Sequence, residues 1–172
     1  MKKLLILAVL LSNFFVSGIW AQSKKEGKLN AWTAAKVSRE TEWRKTPYLK
    51  AVRAAKNKGF DRLVFEFTGD VPSFQIEFIK LPITNTADEE IKVAGKFFLS
   101  INMRTLPYPD EADKIPDAEI PVGKLNLPVI AEITQIEWFE GDRWFVVGLK
   151  AKKLYRVQQL QNPSRLVVDF KQ

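Results

Sequence analysis

The chain has 172 residues, a length typical of one domain with short appendages. Its 27 Lys and Arg residues against 20 Asp and Glu residues give a net charge of +7, below the charge density of a dedicated nucleic-acid binder. The sequence contains no His and no Cys, which excludes a Ser-His-Asp triad, a zinc or haem site on those ligands, and any disulfide. Composition therefore favours a binding or structural module, and we expect no catalytic residue, metal, cofactor or nucleic-acid partner.

The first 21 residues have the layout of a signal peptide. Lys2 and Lys3 form a charged start, residues 4–11 are an unbroken apolar run, and Ala21 offers a cleavage position. We expect export and cleavage after Ala21, which leaves 25 basic and 20 acidic residues, a net charge of +5. Because no Cys is present for lipid attachment, we expect a soluble protein in the periplasm or outside the cell, without stable membrane insertion.

Residues 22–47 are polar and basic, and their apolar spacing is weak. We predict a flexible linker of marginal order. The alternative is that Trp32 docks onto the domain that follows.

From residue 48 onwards, apolar and polar residues alternate with a period of two, which is typical of strands with one buried face. Turn residues separate these segments at short spacing. The pattern predicts an all-β fold of about eight antiparallel strands over residues 48–172, a β-sandwich or a barrel. The predicted strands cover residues 49–55, 63–67, 74–79, 97–104, 129–139, 144–149, 154–160 and 165–170. The predicted core includes Leu63, Phe65, Phe67, Ile76, Leu166 and Val168.

Residues 105–128 interrupt the strand pattern with five of the nine prolines. Proline cannot donate to a strand ladder, so we predict a long loop. Its acidic residues are Asp110, Glu111, Asp113, Asp117 and Glu119. Their spacing lacks the glycine turn and final glutamate of an EF-hand calcium loop, and we therefore expect a solvated acidic loop rather than a metal site.

One six-residue pattern occurs twice, at residues 62–67 and 165–170, and both copies read Arg-Leu-Val-apolar-acid-Phe. Two similar strands at opposite ends of the domain suggest pseudo-symmetric halves. The flanking charges place Asp61, Arg62, Arg165 and Asp169 near the outward faces of the sheets. We predict that these four residues form a cross-strand ion cluster with a structural role.

The second copy lies in the stretch Asn162-Pro163-Ser164-Arg165-Leu166-Val167-Val168-Asp169-Phe170, which follows Tyr155-Arg156-Val157. This stretch resembles the closing signature of AMIN domains, and Val52-Arg53 with residues 59–67 resembles the opening of the AMIN-like branch found in exported bacterial proteins. The resemblance implies a β-sandwich of two small sheets. AMIN domains of cell-wall amidases bind peptidoglycan, so the resemblance implies a non-catalytic envelope module whose partner is peptidoglycan or an envelope protein.

Residues 138–145 form an aromatic segment that predicts a β-hairpin with a Gly141-Asp142 turn. In that register Phe139 faces Trp144 and Trp138 faces Phe145, so aromatic pairs lie on both faces of the sheet. An exposed pair could stack on sugar rings, and Trp138, Trp144, Arg143 and Lys150 are the candidate ligand-binding residues. The alternative is that the loop at residues 105–128 covers the exposed pair.

Two other functions stay open at this point. A carboxylate-based glycan hydrolase requires two carboxyl groups about 5–9.5 Å apart across a cleft, and no sequence pattern pairs them. A protein–protein interaction module could use the acidic loop instead.

Overall fold

The computed structural model describes residues 27–105, 118–121 and 124–172. Within these ranges the chain forms nine strands and no helix. The strands are β1 (Val37–Arg39), β2 (Tyr48–Asn57), β3 (Phe60–Thr68), β4 (Ser73–Ile79), β5 (Phe97–Arg104), β6 (Ile130–Phe139), β7 (Asp142–Leu149), β8 (Tyr155–Leu160) and β9 (Ser164–Lys171). All eight predicted strands are present, and β1 is the addition.

The strands form two antiparallel sheets that pack face to face. The four-stranded sheet has the order β2-β3-β9-β8, and the five-stranded sheet has the order β1-β4-β5-β7-β6. The predicted all-β sandwich is confirmed. In the described ranges no helix has the length and hydropathy needed to cross a membrane.

The main core lies between the two sheets. The rings of Phe65 and Phe145 meet there edge to face with their centres 5.2 Å apart, a geometry favoured by the ring quadrupoles. The six residues predicted to be core are all buried: Leu63, Phe65, Phe67, Ile76, Leu166 and Val168. Burial of each such large apolar side chain stabilises the fold by about 1.5–3 kcal/mol.

The two copies of the repeated pattern are β3 and β9, the central pair of the four-stranded sheet. They are antiparallel with Val64 opposite Val167, Arg62 opposite Asp169, and Glu66 opposite Arg165. This register relates the copies by a local two-fold axis at the valine pair. The pseudo-symmetric halves are therefore the hairpins β2–β3 and β8–β9 of a single sheet.

Residues 27–47 cross one open side of the sandwich. The Asn30 amide donates to the Val157 carbonyl at 2.9 Å, and Thr33 forms an antiparallel bridge with Tyr155. A few residues later β1 pairs with β4. The prediction of a flexible linker is wrong for these residues, because each sheet ends in an edge strand with unpaired amides and carbonyls, and this segment pairs with both edges.

The buried Tyr155 side chain also holds residues 27–47 against the sandwich, from the core side. The side chain is fully buried, and its hydroxyl lies 2.6 Å from the Ala35 carbonyl oxygen and 3.0 Å from that of Ile76. Burial raises the pKa of the Tyr155 hydroxyl, so the group stays protonated and able to donate. One phenol therefore joins the four-stranded sheet to the linker segment and to β4.

The other open side is crossed by the described end of the loop predicted at residues 105–128. The Val52 amide donates to the Glu119 carbonyl at 2.7 Å, and the Leu125 amide donates to the Ala131 carbonyl at 2.7 Å. This part of the loop thus pairs with the edge of each sheet. The prediction of an acidic loop stays a prediction, because four of its five acidic residues lie outside the described residues: Asp110, Glu111, Asp113 and Asp117.

A smaller apolar cluster lies on the outer face of the five-stranded sheet. Its buried members are Ile83, Phe98, Ile136 and Val146. The connection between β4 and β5 covers it and approaches closely at Gly148, where a Cβ atom would lie 1.9 Å from the Ala94 carbonyl oxygen. Both faces of this sheet are therefore packed near its centre.

Candidate functional site

The aromatic hairpin turns one residue earlier than predicted. Glu140 and Gly141 both have positive φ, at 47° and 88°, and Phe139 pairs with Asp142. This two-residue turn matches the type I′ geometry, which requires positive φ at both central positions and favours glycine at the second. Trp138 consequently pairs with Arg143 instead of Phe145, and the predicted aromatic pairs do not form.

The two tryptophans of the hairpin lie on opposite faces of the sheet. The Arg143 guanidinium lies 3.7 Å from the centre of the Trp138 ring and donates to the Gln135 amide oxygen at 3.1 Å. Trp144 packs instead against the smaller outer cluster, and its indole nitrogen donates to the Ser100 hydroxyl at 2.8 Å. The β4–β5 connection thus partly covers Trp144, whereas the alternative prediction named the loop at residues 105–128 as the cover.

Lys150 lies far from the other three candidate residues. It follows the last residue of β7, seven positions after Arg143, which is a separation of about 23 Å along an extended strand. Its ammonium group donates to the Leu127 carbonyl at 2.5 Å. Trp138, Trp144, Arg143 and Lys150 therefore do not form one surface; the most exposed ring of the hairpin is Phe139, at 57%.

Two of the four residues predicted to form an ion cluster lie elsewhere. Asp61 lies on the inner side of β3, where one carboxylate oxygen accepts hydrogen bonds from the amides of Val129 and Ile130, at 2.6 and 3.0 Å. Its predicted outward position is wrong because it shares the side of Leu63 on the alternating strand. Arg165 is opposite Glu66, but its Nε donates to the Pro163 carbonyl at 3.2 Å.

The other two residues are joined on the outer face of the four-stranded sheet. Arg62 donates twice to the Asp169 carboxylate, at 2.7 and 3.0 Å, and Arg156 donates to it at 2.6 Å. Asp169 is completely buried, at 0% exposure, whereas both arginines reach solvent in part. Two guanidinium groups on one carboxylate leave a fixed excess of positive charge on this face.

Aromatic rings flank both of these arginines. The Arg156 guanidinium lies 4.8 Å from the centre of the Trp32 ring, and the Arg62 guanidinium lies 5.1 Å from that of Phe60. These distances fall within the range of cation–π attraction. We call Trp32, Phe60, Arg62, Arg156 and Asp169 the arginine–aromatic platform. Its tryptophan is in place because the Thr33 bridge holds the preceding segment against β8.

Across the local two-fold axis, Glu66 is in the position that corresponds to Asp169. It accepts a hydrogen bond from Arg53 at 2.6 Å and forms an ion pair with Lys50 at 3.0 Å. Hydrogen bonds from Arg53 first, and then from Lys50, hold the pKa of the Glu66 carboxyl below its ordinary value. Arg53 and Lys50 are 55% and 59% exposed, so solvent screens these pairs.

Basic side chains outnumber acidic ones on this whole face. By register and ion pairing, the outward residues include Lys50, Arg53, Arg62, Arg156, Arg165 and Lys171 against Glu66 and Asp169. The arginine–aromatic platform is the part of this face that also carries aromatic rings. Phe60 and Arg156 stand at outward positions of the alternating strands and could have been found from that pattern, whereas Trp32 required the docking of a distant segment.

The chain was compared with known families and proteins. The model of a family described as AMIN-like domain matches residues 47–172, which is more than half of the chain. The comparisons with curated proteins and with solved structures find no significant match. The family match covers β2 to β9, including both hairpins of the four-stranded sheet. The chain therefore belongs to the AMIN-like domain family.

Proposed function

We propose that the protein is an exported, non-catalytic module of the cell envelope that binds peptidoglycan through the arginine–aromatic platform. The observation that carries the proposal is the geometry around Asp169, where two arginines share one buried carboxylate and lie against Trp32 and Phe60. Peptidoglycan offers carboxylates on its peptides and the apolar faces of sugar rings. Fixed guanidinium groups and aromatic surface are suited to both.

Preorganisation supports this surface as a binding site. The Arg62 and Arg156 side chains are held by charge-assisted hydrogen bonds, so a ligand would immobilise few additional rotamers. Membership of the AMIN-like family supports the peptidoglycan class of ligand. Export is supported by the signal-peptide pattern at residues 1–21.

Sedimentation with purified peptidoglycan sacculi tests the proposal. Residues 22–172 should sediment with sacculi at low salt, and less so at high salt as charge attraction is screened. Arg156→Gln and Trp32→Ala should each weaken binding about tenfold, which corresponds to about 1.4 kcal/mol. The matched control is Arg53→Gln, which removes the same charge from the arginine that bonds Glu66 in the other half-sheet, where no described aromatic ring lies against the guanidinium.

Thermal unfolding of each variant establishes that it is folded. A parent protein that stays in the supernatant at low salt contradicts peptidoglycan binding, and an envelope protein becomes the partner to seek. Equal losses in Arg53→Gln and Arg156→Gln would mean general charge attraction without a role for the platform. Release of soluble muropeptides during the incubation would favour the glycan hydrolase instead.

A further inference from the structure

A polar cleft lies at the end of the sandwich opposite the β2–β3 turn. Residues 39–45, the connection between β3 and β4, and the β8–β9 turn meet there. It consists of two adjoining cavities of 350 and 450 Å³, whose walls share Arg44, Asp70 and Gln161. These volumes fall in the range of small-ligand sites. We call it the turn-end cleft.

Backbone contacts hold the walls of the turn-end cleft together. One Asp70 carboxylate oxygen accepts hydrogen bonds from the amides of Arg44 and Lys45, at 2.8 and 3.0 Å, and the Asp70 amide donates to the Lys45 carbonyl at 3.1 Å. Gly69 has a φ of 80°, and a Cβ atom there would lie 2.0 Å from the Thr46 carbonyl oxygen. The cleft is therefore preformed by main-chain geometry.

Positive charge is available in this cleft. One Asp70 carboxylate oxygen accepts from the backbone amides of Arg44 and Lys45, whose cationic ends lie beyond ion-pair distance of that carboxylate. Within the described part of the chain, the side chains of Arg39, Arg44 and Lys45 form no ion pair. Glu42 is the other acidic residue of the wall. The cleft wall therefore carries three cationic side chains against two acidic ones, an excess of one positive charge.

The remaining polar groups of the cleft suit a peptide. Gln159, Gln161 and Asn162 contribute primary amides, each of which can both donate and accept. The aromatic residue among the described lining residues is Phe67, which is buried and offers no ring face for stacking on a sugar. Cations and amides without an exposed ring match carboxylates and peptide bonds better than they match a glycan strand.

We infer that the turn-end cleft binds a short peptide with free carboxylates, the chemistry of a peptidoglycan stem peptide. The inference rests on the proposed function and adds a second contact to it. The cleft lies about 16 Å along β8 from the platform, since Arg156 and Gln161 are five residues apart. A muramyl peptide still attached to its glycan strand could therefore reach both surfaces.

Calorimetric titration with soluble probes tests the inference. N-acetylmuramoyl-L-alanyl-D-glutamate should bind residues 22–172 with one saturable site. The same molecule with both glutamate carboxylates amidated should bind at least tenfold more weakly, and a tetramer of N-acetylglucosamine should not compete. The variant Arg39→Gln with Arg44→Gln should also lose at least tenfold, and it keeps the Arg44 amide that holds Asp70.

The matched control is Lys56→Gln with Lys58→Gln, which removes the same charge at the opposite end of the sheet and should change affinity less than twofold. Equal affinity for the acidic and the amidated probe, or equal losses in the two double variants, would overturn the inference. A parent protein that sediments with sacculi but does not bind the acidic probe would refute peptide binding by the turn-end cleft, and the proposed function would be unaffected. A parent that does not sediment would refute the proposed function itself.

Discussion

Asp169 illustrates how a single buried carboxylate organises its surroundings. Taking its charge out of water is costly, and the hydrogen bonds from Arg62 and Arg156 offset that cost. The three groups together add only modest net stability. Removal of Asp169, however, leaves both guanidinium groups without their shared partner. The same residue therefore matters to the fold and to the proposed binding surface.

We expect Asp169→Ala to lower the free energy of unfolding by about 3–5 kcal/mol, because two guanidinium groups lose their shared partner. Arg165→Ala is the control, since among the described residues the Arg165 side chain bonds only to the nearby Pro163 carbonyl on the surface, and it should change stability by less than about 0.5 kcal/mol. Urea denaturation measures both. Similar values for the two variants would contradict this account of Asp169.

Phe65→Ala should lower the free energy of unfolding by about 3–5 kcal/mol, because the residue is fully buried against Phe145 and its loss leaves a cavity. Phe139→Ala removes an equal side chain at a site that is 57% exposed and should cost less than about 0.5 kcal/mol. Guanidinium denaturation separates the two. A small effect at Phe65 would mean that the core relaxes around it.

Stability should fall in acid because of Glu66 and Asp70. Hydrogen bonds from Arg53 to Glu66, and from the Lys45 and Arg44 amides to Asp70, lower the pKa of both carboxyls in the folded state. Their contribution is therefore complete above the ordinary pKa values, 4.5 and 3.8, and is lost as the pH falls through the lower folded values.

Melting temperatures recorded from pH 7 to pH 2 test this expectation. The variant Asp70→Asn with Glu66→Gln should melt below the parent at pH 7, and the difference should shrink towards pH 2. A difference that stays constant with pH would show that the substitutions act through packing alone.

At the scale of single elements, the β6–β7 hairpin carries strain at its turn. Glu140 has a φ of 47°, a conformation that asparagine adopts more readily than glutamate. We expect Glu140→Asn to raise the free energy of unfolding by about 0.5–2 kcal/mol, since it creates the favoured Asn-Gly turn. Gly141→Ala should be destabilising because φ is 88° there. Chemical denaturation measures the change in the free energy of unfolding for both variants. Destabilisation by Glu140→Asn would contradict the assigned turn.

The whole molecule depends on the two segments that close the open sides of the sandwich. Residues 27–47 pair with β8 and β4, and the described part of residues 105–128 pairs with β2 and β6. Both sheets would otherwise present free edges, which promote association between molecules. The first segment also carries Trp32, so closure of the fold and assembly of the platform are coupled.

Thr33→Pro tests that coupling, because it removes the amide that donates to the Tyr155 carbonyl at 2.8 Å. We expect a loss of about 1–3 kcal/mol in stability, concentration-dependent association in gel filtration, and weaker sedimentation with sacculi. Thr33→Ala keeps the amide and is the control. If the two variants behave alike, the bridge to β8 does not hold the platform.

The sequence by itself determined the eight strands, the six core residues and the family. Each of these depends on local alternation or on a contiguous signature, and both are visible in the sequence without knowledge of long-range contacts. The pairing of Arg62 with Asp169 was also predictable, since the repeated pattern placed complementary charges on outward positions of two strands.

Only the tertiary structure decided which residues meet. The turn at Glu140-Gly141 lies one residue earlier than predicted, so each strand residue pairs two positions away from its predicted partner, and Trp138 lies opposite Arg143 instead of Phe145. Trp32 reached Arg156 because a polar segment paired with a distant edge strand, and the turn-end cleft arose where three connections converge. Such contacts depend on hydrogen bonds between residues far apart in the chain, and alternation within a strand carries no information about them.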